Sequence, residues 1–162
     1  MKNLILGRQS QSAVSQAVSQ GIPLWDRPNS DLPRIPPDLT AVDDEDLMVL
    51  YSSLTAWADF VSTQVSCAQV DERASEKELS QKESLLMLSY GDRGDRVTYA
   101  RAQVASDEVI TALKAEVEQR YAYRKVVESL LANIERDSQL VSRELTRRTS
   151  SRNKTPISRW SA

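Results

Sequence analysis

No histidine occurs in this chain of 162 residues, and cysteine occurs once, at Cys67. Without histidine, the commonest general base and the commonest zinc ligand are missing. A single cysteine forms neither an internal disulfide nor a thiolate metal cluster, and it suits a reducing compartment. Flanked by Val65 and Ala68 in a helical stretch, Cys67 reads as a small core residue. Serine is abundant, but no Gly-x-Ser-x-Gly elbow is present to make one a nucleophile. Paired carboxylates fall at helix starts or on charged helix faces, where solvation accounts for them. These absences argue against an enzyme, a cofactor and a small-molecule substrate.

Other things are scarce. Aromatic residues make up 6% of the chain, with Phe60 the single phenylalanine. Compact cores draw much of their buried area from aromatics, so the expectation is an elongated molecule. The first seven residues hold only three consecutive large apolar side chains, Leu4 to Leu6, too few for a signal peptide or a membrane span. A cytoplasmic protein with no membrane partner is expected.

Glycine and proline are few and sharply placed. Between Pro37 and Pro156 the only glycines are Gly91 and Gly94, which is what one helical hairpin broken by one turn requires. Residues 1–38 form an arm. Its Gln9–Gln20 stretch, rich in Ser and Gln, is either a short helix or disordered. Residues 21–37 carry five of the six prolines and should be extended, with Leu24, Trp25 and Ile35 available to dock on a neighbouring surface.

The helical hairpin is expected over residues 39–149. Thr40 with Asp43 resembles a capping box, followed by Leu47, Leu50, Leu54, Trp57, Val61, Val65 and Ala68 at steps of three and four. Beyond Ala68 the stripe thins to Ala74, Leu79 and Leu86 among charges, and the helix runs to about Leu88. The turn Tyr90–Arg96 carries two glycines and two aspartates. It lacks the Lys-Ser/Thr of a phosphate loop and the glutamate of a calcium loop. A short connecting segment, Val97 to Val104, leads to a second cap at Ser106-Asp107. The last helix then carries a seam over about five heptads: Ile110, Leu113, Val117, Arg120, Arg124, Val127, Leu131, Ile134, Ser138, Val141 and Leu145. Its polar interruptions either specify register, or the packed face drifts towards Tyr121, Val126 and Leu130 and leaves Arg124 at the edge; drift is preferred. Helices this long exceed what one chain's core covers, so Leu113, Val117, Val127, Leu131, Ile134, Val141 and Leu145 are expected at an oligomer interface. The fold class is all-α: an elongated antiparallel helical hairpin with a short connecting helix, coiled-coil-like and homo-oligomeric.

A net charge of −2 conceals a polarity. Asp38 to Asp46 hold five acids and no base, while the chain from Arg143 onward holds six bases against Glu144. Cations complementing a helix dipole would explain Arg143, Arg147 and Arg148 but not Arg152, Lys154 and Arg159 in or near the tail of residues 150–162. Those, with Trp160 to stack on a base, suit contact with a single strand; the alternative is a solvated tail.

The order of these parts, with Tyr90-Gly91-Asp92-Arg93-Gly94-Asp95 at the turn, Asp107-Glu108-Val109 opening the second helix, Tyr121 and Tyr123 within it and Arg143-Xaa3-Arg147 at its exit, resembles phage recombination-mediator proteins of the UvsY type. Tyr121 to Arg148 is also similar to small helical proteins of actinobacterial phages. The resemblance covers roughly residues 45–150; the proline-rich arm and the tail depart from it. It implies an oligomer that holds single-stranded DNA and helps load a recombinase over a single-strand-binding protein, in a host cytoplasm. It implies Arg93, Arg96 and Arg101 near the turn, and Arg143, Arg147 and Arg148 at the exit, as DNA contacts. The competing expectation is a structural or adaptor coiled coil of phage assembly or the virion, whose partners are proteins.

Overall fold

The computed structural model describes residues 4–91 and 96–152. Four α-helices are present among them: α1 (Arg8–Ser19), α2 (Asp44–Gly91), α3 (Val97–Ser106) and α4 (Glu108–Arg152), with a single 3₁₀ turn at Leu39–Ala41 before α2. The described residues contain no strand. At 1.5 Å per residue, α2 is about 72 Å long and α4 about 68 Å.

Local chemistry sets the helix starts. Asp43, rather than Thr40, caps α2: its carboxylate accepts from the Asp46 N–H at 2.8 Å, while Thr40 belongs to the preceding 3₁₀ turn and is itself capped by Asp38 at 2.9 Å. Thr40 and Asp43 are both good cap residues, and the one nearer the apolar stripe wins. Asp107 caps α4 as expected, accepting from the Val109 and Ile110 N–H groups at 2.9 and 3.1 Å. The Ser/Gln stretch is a helix, α1, which buries Ser10 and Val14 one turn apart.

Helices α2 and α4 pack antiparallel. Ion pairs Glu83–Lys114, Glu72–Arg124 and Asp44–Arg148 mark the register along their length. Leu47, Leu54, Trp57, Val61 and Val65 of α2 form one cluster with Val127, Ile134 and Val141 of α4, flanked by Leu131 and Leu145. Leu113 and Val117 are half-buried further along α4. The seam expected between subunits is therefore used inside the chain. It does not drift: Tyr121 and Val126 are 49% and 68% exposed, and Leu130 is also exposed. Arg124 stays in the seam because Glu72 and Glu128 satisfy its guanidinium from both sides, and these hydrogen bonds hold its proton more tightly than usual. Glu72 is 7% exposed, so a residue read as part of a solvated charge run is interior and paired.

Beside the first stripe α2 has a second, which includes the buried polar residues Gln64 and Asp71. The N-terminal arm covers these two. Gln64 clamps the Ile5 backbone, accepting from its N–H at 2.9 Å and donating to its carbonyl at 2.7 Å. Leu4, Leu32, Ile35, Leu39 and Val42 pack on the main cluster, and the Arg27 guanidinium lies 5.5 Å from the Trp57 ring centroid. Trp25 does not dock; it is 60% exposed. The arm is held by aliphatic residues and backbone hydrogen bonds instead.

Leu54 is 1% exposed at the centre of the cluster. Leu54→Ala is expected to lower unfolding free energy by about 2–5 kcal/mol, read from urea denaturation with an unchanged m-value. A decrease below about 0.5 kcal/mol, as for a surface change, would contradict this packing.

Candidate nucleic-acid interface

The cations expected to contact DNA fall in three places. At one end of the molecule, the antiparallel topology sets the basic end of α4 against the acidic start of α2. Arg148 is 15% exposed at its side chain and donates to Asp44 (2.8 Å), Glu144 (2.7 Å) and the carbonyls of Val42, Leu39 and Thr40 (2.7, 2.9 and 3.1 Å). It is a structural clamp between α4, the 3₁₀ turn and α2. Arg147 pairs with Glu144 at 2.6 Å and Arg152 with Asp44 at 2.5 Å. Arg143 is exposed, with no ion pair among the described residues. Much of the charge read as a free basic exit is thus neutralised within the chain.

Near the connection, Arg96 is exposed at the start of α3, and Arg101 faces a hollow of about 390 Å³ beside Glu83, Met87 and Lys114. Arg93, Lys154, Arg159 and Trp160 lie outside the described residues.

A site that sequence reasoning missed lies at the waist. An open groove of about 710 Å³ runs along α2 between the start of α1 and the flank of α4. Arg8, Arg73, Lys77, Lys82 and Arg120 line it, against the carboxylates of Asp71, Glu78 and Glu116. Two of these three acids are occupied: Glu116 holds Arg120 at 2.5 Å, and Asp71 accepts from Gly7 and Ser10 of the arm. Arg8, Arg73, Lys77 and Lys82 form no ion pair among the described residues. Arg73, Lys77 and Lys82 follow one another along α2, with rises of about 6 and 7.5 Å between them. With five cations against three acids the lining is net positive, and a row of this kind attracts a linear polyanion. The sequence does show the α2 cations as a charged stretch; Arg8 and Arg120 join them only through the tertiary fold.

Among the described residues no group of His, Cys, Asp and Glu could hold a metal ion, and no helix is long and apolar enough to cross a membrane. Cys67 is buried, and desolvation together with the nearby Asp71 charge pushes its thiol up. No family model, curated protein or solved structure matches the chain.

The clamp end carries a pH dependence. Hydrogen bonds from Arg147 and Arg148 hold the Glu144 carboxyl down at about 2, against an ordinary 4.5. Arg148 lowers Asp44 in the same way, and Arg124 lowers Glu128. Carboxyls depressed by folding contribute stability that is complete above their unfolded values and is lost as pH falls towards the folded ones. Thermal melts should be level from pH 7 to about 5, then fall steeply between pH 4.5 and 2. Glu144→Gln should flatten part of that fall, and an identical profile in the variant would remove Glu144 from the account.

Proposed function

We propose that the protein is a non-enzymatic accessory factor that binds single-stranded DNA and assists recombinase loading, in the manner of a phage recombination mediator, and works as a homo-oligomer in the host cytoplasm. The observation that carries this reading is the waist groove. Four cations with no ion pair among the described residues converge there, on a surface long enough for several phosphates. Phosphate contacts of this type supply affinity without sequence preference, which is what a factor that handles any single strand requires. The exposed Tyr99 offers a face on which a base can stack. The order of helices, connecting segment and caps supports the same reading through its resemblance to UvsY-type proteins.

A second reading has its own observation. Leu85, Leu88, Val97, Tyr99 and Val109, all more than half exposed, cluster in sequence around the connection of α2, α3 and α4. Apolar side chains exposed at that density suit a protein partner or coiled-coil association, as in a structural or adaptor component of phage assembly.

Fluorescence anisotropy with labelled single-stranded DNA across a salt series separates the two. For the mediator reading, log K should fall linearly with log salt. Each phosphate that a cation neutralises contributes about 0.7 to the slope, so the triple variant Arg73→Ala/Lys77→Ala/Lys82→Ala should lower it by about two units. A chain ended after Arg152 tests the tail separately. Absence of binding at low salt would defeat the mediator reading and leave the protein-binding one.

A further inference from the structure

The N-terminal helix reaches the groove through a seat with no slack. Asp71 is 7% exposed and commits both carboxylate oxygens to the arm. It accepts from the Gly7 N–H at 2.7 Å, the Ser10 N–H at 3.0 Å and the Ser10 hydroxyl at 2.6 Å. Ser10 is 1% exposed. At Gly7 the fit is closer than a side chain permits: a Cβ there would lie 2.5 Å from Asp71 Cγ and within 2.7 Å of both its oxygens. Two turns back along α2, the paired hydrogen bonds of Gln64 to Ile5 fix the approach.

This seat determines where Arg8 stands. Arg8 is the first residue of α1, lines the groove with Arg73, Lys77 and Lys82, and is exposed. A cation at the first position of a helix faces the positive end of the helix dipole and does nothing for the helix itself. Asp71 sits on the same helix as Arg73 and Lys77, so one carboxylate ties the arm's cation to the row of cations on α2.

We propose that the groove is bipartite: α2 supplies Arg73, Lys77 and Lys82, the arm supplies Arg8, and Asp71 is the positioning residue that registers the two halves for the phosphates of one nucleic-acid strand. The proposal rests on the single-strand-binding reading above. It makes docking of the arm a determinant of affinity, because a chain with α1 released keeps only the α2 half of the site.

The test uses the full chain and a labelled oligothymidylate of roughly 20 nucleotides, longer than a single binding site. Binding is measured over a salt series, and hydrogen exchange of the α1 amides reports docking. Arg8→Ala should lower the salt slope by about 0.7, the value for one phosphate, with α1 exchange unchanged. Gly7→Ala and Asp71→Asn should lower the slope equally while speeding α1 exchange and leaving α2 and α4 protected. Asp71→Asn is discriminating because it removes a negative charge beside the groove; simple electrostatics alone would tighten binding, whereas release of the arm weakens it. An unchanged slope in Arg8→Ala, or faster α1 exchange with no change in slope, would overturn the proposal. If Lys77→Ala and Lys82→Ala lower the slope while Arg8→Ala does not, only the bipartite site falls. If none of the three lowers it, the groove reading falls as well.

Discussion

Everything in this molecule follows from α2 having two buried stripes side by side. A partner helix packed against a long helix covers one stripe, and α4 covers Leu47, Leu54, Trp57, Val61 and Val65. The second stripe, beside it, carries two polar members, Gln64 and Asp71, that are nonetheless buried. Polar members of that stripe cannot be covered by apolar side chains alone, since a buried carboxylate or amide without partners is costly. Backbone groups of the arm satisfy them: Ile5 N–H and C=O at Gln64, and the N–H groups of Gly7 and of Ser10 in the first turn of α1 at Asp71. The arm is therefore a structural layer of the fold, and its first helix is anchored at the point where the groove begins.

Antiparallel packing has an electrostatic consequence of equal weight. It brings the two ends of the charge polarity together, so Arg148 and Arg152 meet Asp44, and Arg147 and Arg148 meet Glu144. Charge that looks available when read along the chain is neutralised across the helix pair. The cations left over include Arg8, Arg73, Lys77 and Lys82, which form no ion pair among the described residues. These four gather at the waist, about 42 Å along α4 from the clamp, taking Arg120 and Arg148 as markers at 1.5 Å per residue.

Legibility in the sequence differed from residue to residue. Steps of three and four along Leu47–Ala68 and Ile110–Leu145 are a direct physical signature, and both helices follow them. The seam also continues through Glu72, Ser75 and Glu83 on α2, which are buried or half-buried; because these are polar, the stripe seemed to thin where it in fact goes on. Arg124 seemed misplaced for the mirror reason, its partner Glu72 being distant in sequence. The choice of Asp43 over Thr40 as cap turned on local competition within a run rich in cap residues. Of the arm, Ile35 was legible as a docking residue and does pack on the cluster, but the seat was not, since Gly7, Ser10, Gln64 and Asp71 carry no common signal until they are side by side. For the groove, Arg73, Lys77 and Lys82 were visible as a charged stretch, while its outer walls were not.

The arm is fastened at both ends, by Gln64 and Asp71 near its start and by Arg148 gripping the carbonyls of Leu39, Thr40 and Val42 near its finish. Release of the first anchorage does not free the segment. With the second in place, α1 stays tethered through residues 20–38, whose Leu32 and Ile35 pack on the main cluster. Recapture of α1 is then an intramolecular event, independent of how much protein is present. Docking of the arm is thereby a property of each single molecule, insensitive to dilution.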